Sequence, residues 1–356
     1  KGEQTMSTLN TILDSAKVID TATETVVLPT YNSLVIPKSP EYINGRRCNV
    51  NSYGTVDLST FKGSTEQLIK EIGADFTAIK TPAMRKLSSG AIEEVPNDFY
   101  LINNQTDEVI GRHMTDRYSI LQFDDSVYYM MSLLEEIEKH GFKVTPAYGK
   151  VWNGGSKMFL QYKIGADKIK GEPVDNYLSL ISSHDGSCSF TMTLSTIRLF
   201  CSNQIGRNLA GARNRVTLKH TTSASSRIAQ VAEKMIALEK KQMSALEAYA
   251  DTLCKIKITE KDIFDAYAQM MDLEHMDTQR RADNFASRCA DLISCYRAPD
   301  LADFSGTAYG AYLAYSDFSQ HCVPLRKTAD QKFIEAGLNG NEELGSFADI
   351  LQALKF

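Results

Sequence analysis

The stretch NYLSLISSHDGSCSFTMTLSTIRLFCSNQIGRNLAGARNRVTLKHTTSASSR, Asn176 to Arg227, decides both the fold and the function read from this chain. Its first half alternates apolar and polar residues around Asp185-Gly186, a dipeptide that favours a tight turn between antiparallel strands. A two-residue turn there pairs Ile181 with Phe190, Ser179 with Met192 and Tyr177 with Leu194. One face is then core, and the other is mixed, carrying Leu178, Leu180, Ser182 and His184 against Ser189, Thr191 and Thr193. After the hairpin, Ser195 or Thr196 reads as the cap of a helix to about Ala210. Ile197, Cys201, Ile205 and Leu209 share its apolar arc, and Arg198 falls inside it.

Charge sets the second half apart. Between Asp185 and Glu233 there is no acidic residue, while Arg198, Arg207, Arg213, Arg215, Lys219, His220 and Arg227 fall in the gap. The 356 residues together carry a net charge of -5, so the positive charge is concentrated. A one-signed patch on an acidic protein is a candidate surface for a polyanion. Single-stranded nucleic acid is held by cations tracking phosphates and aromatic faces stacking bases. The cations are present, and Tyr177 or Phe200 supplies the stacking face less convincingly. The alternatives are that the cations pair with Glu135, Glu136, Glu138 or acids of the C-terminal helices, or that they meet an acidic protein partner.

Working outward, the same periodicities predict an α+β fold: an antiparallel sheet from about residue 98 to 220, crossed by helices, followed by a mostly helical C-terminal half. Residues 98–103, 108–114 and 117–122 read as three short strands. FDDSVYYMMSLLEEIEKHG (123–141) reads as an amphipathic helix with Val127, Met130, Met131, Leu134 and Ile137 on one face. Asn153-Gly154-Gly155 turns a further hairpin, and Val216–Leu218 returns as a short strand. One long helix is expected from Thr222 to about Leu253, and others begin at Thr259, Thr278, Gly306, Gln331 and Glu342. Before the sheet, Ser64 and Gln67 make a capping box for a helix that stops at Gly73. Residues 1 to about 50, with Pro29, Pro37 and Pro40, read as an extended arm with one short helix near Leu9–Ile19, either mobile or docked on a neighbouring subunit. The organisation expected is 1–74 arm and short helix, 75–255 α+β core with the basic segment, and 256–356 helical region.

Seven cysteines (48, 188, 201, 254, 289, 295, 322) form no CxxC pair, which argues against a disulfide framework or zinc site and for a reducing cytoplasm. No apolar run approaches the roughly 18 residues of a membrane span, and the polar N-terminal residues lack a secretion signal's order. Catalytic readings are weak. His184-Asp185 suits a turn, the spacing of Cys201 and His220 proves no nucleophile–base pair and Cys201 sits on the expected core arc, and Asn153–Lys157 lacks the strand–loop–helix context of a P-loop. The acidic pairs Asp107-Glu108, Asp124-Asp125 and Glu135-Glu136 point apart on helices or face solvent. No catalytic residue, metal or cofactor is expected.

Tyr118–Met131, Trp152–Lys163, Tyr177–Arg227 and Gly306–Tyr315 resemble the phage- and plasmid-encoded family labelled "phage/plasmid-like protein" or a domain of unknown function. The features in common are the aromatic-then-Gln start of the first helix, the Gly-Gly hairpin and the His-Asp-Gly turn. Arg198–Gln204 and the Lys-His before a long helix complete them. The resemblance covers about 75–330 and omits the N-terminal arm. It implies a mobile-element protein of a bacterial cytoplasm, with no reaction attached. The order of strands and helix is similar to single-strand annealing recombinases, which implies single-stranded DNA as partner and a ring or filament of copies. A structural or interaction protein of the mobile element, with no nucleic-acid ligand, is the alternative.

Overall fold

The computed structural model describes residues 17–21, 24–42, 55–198, 203–204, 215–217, 228–323 and 342–354. The fold is α+β, with antiparallel sheets and a C-terminal half that is mostly helical. A hairpin of β1 (Lys17–Thr21) and β2 (Glu24–Leu28) comes first, so Ile19 lies in a strand and not in the short helix expected near Leu9–Ile19; residues 9–16 lie outside the described ones. β3 (Val56–Asp57) precedes α1 (Thr65–Glu71), which has the expected capping box, Ser64 with Gln67.

Three strands, β4 (Ala78–Lys86), β5 (Ile92–Asn103) and β6 (Val109–Met114), form a separate sheet in that order. Residues 117–122, expected as a strand, join β6 to α2 (Phe123–Lys139) without one. There Leu121 and Gln122 spend backbone and side-chain groups on clasping other elements: Gln122 bonds both the N–H (2.9 Å) and the C=O (3.0 Å) of Ala78.

The main sheet continues with β7 (Thr145–Trp152), β8 (Lys157–Ile169), β9 (Glu172–Ser183), β10 (Thr191–Arg198), β11 (Asn203–Gln204) and β12 (Arg215–Thr217). Its order is β11-β10-β9-β8-β7-β3, with β12 also paired to β10. Strict alternation along β8 explains the layering. Met158, Leu160 and Tyr162 face a core closed by Val127, Met130, Leu134 and Ile137 of α2. Phe159 and Gln161 face the other way.

The sequence expectation fails twice here. Thr191 pairs with Ile181, Met192 with Leu180 and Leu194 with Leu178, one residue off the expected register. The turn is wider than two residues. Ser183 Oγ donates to the Cys188 carbonyl (2.9 Å) and accepts from the Cys188 N–H (3.0 Å), while Asp185 accepts from the Ser187 N–H (2.9 Å). A one-residue slip exchanges faces, so Leu178 and Leu180, not Tyr177, Ser179 and Ile181, join Met192 and Leu194 in the core. Nor does a helix begin at Ser195 or Thr196. β10 runs on to Arg198, paired with Val174 on one side and Asn203 on the other. Long β9 offers ladder partners throughout, and these outweigh the helical spacing of Ile197 and Cys201.

α3 (Ile228–Lys255) then lays Val231, Ala232 and Met235 on the sheet core and Leu246, Ala250 and Leu253 on a second core. That second core is built by α4 (Glu260–Met270), α5 (Gln279–Tyr296), α6 (Ala308–His321) and α7 (Glu342–Ala353), around Tyr267, Tyr312, Tyr315, Phe318 and Phe347. The helix expected at Gln331 lies outside the described residues. The N-terminal segment packs here, on its own chain: Val26 and Leu28 are in the core, and the Tyr31 hydroxyl donates to Glu260 (2.7 Å). The Glu41 N–H donates to Asp291 (2.9 Å) and the Tyr42 hydroxyl to Asp317 (3.1 Å).

Candidate nucleic-acid interface

Of the seven basic positions, the described backbone includes two, Arg198 at the end of β10 and Arg215 at the start of β12. Arg207, Arg213, Lys219, His220 and Arg227 lie outside the described residues. β11 and β12 nonetheless fix where these segments attach. Both strands pair with the edge of β10 that faces away from β9, β11 at Ile197–Arg198 and β12 at Thr191–Thr193. The connection from β11 to β12 carries Arg207 and Arg213, and that from β12 to α3 carries Lys219, His220 and Arg227. Both leave from one edge of one sheet. Of the acids weighed as internal partners, Glu136 is paired with Lys139 (2.8 Å).

The sheet face opposite the α2 core leads up to that edge. Tyr148, Gln161, Ser179 and Thr193 are successive ladder partners across β7, β8, β9 and β10, and Arg215 is the next partner outward. Gln161 Nε2 donates to Ser179 Oγ (2.9 Å). Gln161 Oε1 and Thr193 Oγ1 are buried without a hydrogen-bond partner, at 3% and 2% residue exposure. Leaving such groups unmade costs about 1–3 kcal/mol each. Sequence reading overlooked this row; the alternating Ser179, Thr191, Thr193 and Ser195 were its only signal. Beside it Lys163 pairs with the buried Asp175 (2.6 Å), and burial pushes the Tyr177 hydroxyl well above its usual range.

At the junction of β9 and β10 with α3, Thr196 Oγ1 donates to Asn176 Oδ1 (2.8 Å) and accepts from Gln242 Nε2 (3.2 Å). Asn176 Nδ2 donates to Glu239 (2.9 Å). Burial raises the Glu239 carboxyl, with Asp167 adding to the effect and the Asn176 bond opposing it.

The weaker catalytic candidates resolve as scaffold where they are described. His184 is fully buried, with Nδ1 3.0 Å from the Gly155 carbonyl and Nε2 2.9 Å from the Leu121 carbonyl, so neither nitrogen is left for a substrate. Burial pushes its pKa below the usual value, against the pull of the two carbonyls. Cys201 and His220 lie outside the described residues. The glycine run is a packed turn: Gly154 and Gly155 have φ of 66° and 117°, and a Cβ on Gly155 would stand 2.6 Å from the Phe76 ring. Among the described residues no group of three or more His, Cys, Asp or Glu is placed to hold a metal ion. No helix among them is long and apolar enough to cross a membrane.

No curated protein and no solved structure matches the chain. A family model matches residues 112–336, from β6 through the main sheet and the basic stretch to beyond α6. By that match the chain belongs to the family described as Domain of unknown function (DUF932).

Proposed function

We propose that this chain is a non-enzymatic, DNA-metabolism protein of a phage or plasmid, working in a bacterial cytoplasm. It binds single-stranded DNA through Arg198, Arg207, Arg213, Arg215, Lys219, His220 and Arg227. The observation that carries the reading is the attachment of both basic connections to the outer edge of β10, on a stretch of chain without a single acid. Cations on chain connections that leave from one sheet edge can follow a phosphate backbone, while the acidic remainder repels DNA elsewhere. Copies of the chain assembled side by side would hold a strand extended with its bases available, and annealing to a complement follows from that.

Fluorescence anisotropy of a labelled oligonucleotide tests this. Binding at low salt that weakens steeply as salt rises is expected, because phosphate neutralisation releases counterions. No binding at low salt overturns the reading in favour of an assembly protein without a nucleic-acid ligand.

A further inference from the structure

Two thiols of the helical region stand against each other. Cys295, the penultimate residue of α5, is fully buried, and Cys322, the residue that caps the end of α6, is 8% exposed. Their sulfurs are 3.9 Å apart. The two residues are 27 positions apart in the chain, so no CxxC spacing announces the pair. Main-chain hydrogen bonds hold both ends: the Cys322 N–H donates to the Phe318 carbonyl (2.9 Å), and the Cys295 carbonyl accepts from the Ala298 N–H (3.1 Å). A disulfide sets its sulfurs about 2.0 Å apart, so the pair has roughly 1.9 Å to close. Rotation of either side chain from one staggered well to the next carries its sulfur farther than that.

The N-terminal segment is seated on the same two helices. On α5, Ser294 donates to the Pro37 carbonyl (3.0 Å) and Asp291 accepts from the Glu41 N–H (2.9 Å), while on α6 Asp317 accepts from the Tyr42 hydroxyl (3.1 Å). We propose that Cys295 and Cys322 are a redox-sensitive pair, which a peroxide closes into a disulfide that ties α5 to α6 where this segment docks. The peroxide oxidises Cys322, the more exposed of the two, as its thiolate: an S–O bond forms, the O–O bond breaks and hydroxide leaves. The Cys295 sulfur then attacks the sulfenic sulfur. The S–S bond forms, the S–O bond breaks, and the Cys295 proton leaves with the hydroxide as water. Two thiols and one peroxide give one disulfide and two waters, with two electrons passing from sulfur to oxygen. Small thiols reverse the bond by exchange, so the reduced pair is the resting state wherever such thiols are in excess. The pair requires no nucleic acid and is independent of the proposed function.

Hydrogen peroxide added to the reduced, folded full chain tests the assignment. After the remaining thiols are alkylated in denaturant, peptide mapping without reductant is expected to show Cys295 joined to Cys322, and dithiothreitol to release them. The oxidised chain should melt several degrees above the reduced one, because the bond closes a loop in the unfolded chain. Cys322→Ser should keep the parent's circular dichroism and lose both the link and the rise. Cys188→Ser and Cys254→Ser, at the two half-buried thiols, should keep both. The map of the parent decides whether or not the Cys322 variant folds. No link in the folded chain overturns the proposal, whether Cys322 stays a thiol or passes to sulfinic acid, and so does a link that appears only in urea.

Discussion

The imidazole of His184 lies flat on the ring of Phe123, centroids 3.8 Å apart and planes 10° apart, and Phe76 stands edge-on to both rings. With its two carbonyl contacts, this residue joins the end of β9 to the turn before β8 and to the start of α2. A neutral imidazole has one N–H, so one carbonyl faces a lone pair at any moment. Protonation would satisfy both but bury a cation, and burial wins. The unfolded chain therefore takes up a proton below about pH 6.5 that the folded chain resists. Stability contributed by His184 is full at neutral pH and is lost as pH falls through that value. His184→Ala should cost about 2–4 kcal/mol, for the cavity and the orphaned carbonyls. Urea unfolding at pH 7.5 and 5.5 checks both statements: the variant should be less stable and should lose less on acidification.

Gly155 allows a sharper comparison. Its φ of 117°, and a Phe76 ring atom 2.6 Å from where a Cβ would stand, penalise any side chain twice. Gly171, with φ of 86° and nothing within 4 Å, is penalised once. Gly155→Ala is expected to cost about 1–3 kcal/mol more than Gly171→Ala, the cost of overpacking. Thermal unfolding of the two variants side by side measures the difference, and equal midpoints would contradict it.

What was legible in the sequence follows from range. The Ser64–Gln67 capping box, the Asn153-Gly154-Gly155 turn and the apolar faces of α2 and α3 are decided within a few residues, and sequence showed them. β4 went unseen because Pro82 interrupts its pattern; the strand survives with a register shift between Pro82 and Met84. The His184–Phe190 turn depends on Ser183 reaching Cys188, a side-chain choice that no turn dipeptide encodes. That slip placed Ser179 in the expected core and hid the polar row. Of the candidate site, the charge asymmetry was legible, while its attachment to one sheet edge depends on β10 running on to Arg198 as a strand and pairing with β11 and β12, where the spacing of apolar residues read as a helix.

The polar row yields a substitution whose effect runs against intuition. Thr193 Oγ1 is buried without a partner, so Thr193→Val removes an unmet hydroxyl at nearly constant volume. The variant should be as stable as the parent or more stable by about 1 kcal/mol. Differential scanning calorimetry decides. A clear loss of stability would mean that the hydroxyl is held by a buried water.

Glu239 makes a similar test with a pH signature. Its carboxyl is raised by burial, so the folded chain holds a proton that the unfolded chain releases above about pH 4.3. Its contribution therefore falls as pH rises through the window between the unfolded and the raised folded value, and at neutral pH a desolvated charge remains. Glu239→Gln keeps an acceptor for Asn176 and removes that charge. The variant's midpoint should exceed the parent's at pH 7 and approach it at pH 4.

Charge reversal in the basic stretch separates binding from assembly. Arg215 is the ladder partner of Thr193, and Arg213 stands two residues before it. If both cations meet phosphates, Arg213→Glu with Arg215→Glu should weaken oligonucleotide binding strongly. It should also flatten the salt dependence by about 1.4 in log–log slope, roughly 0.7 for each phosphate contact to a single strand. Lys261→Glu, an exposed cation on α4 paired with Asp265, serves as the control and should leave the slope unchanged. Sedimentation of the double variant supplies the other half of the measurement. Unchanged oligomer size with lost binding supports a nucleic-acid edge, whereas altered size with no change in binding would make the basic stretch an assembly surface instead.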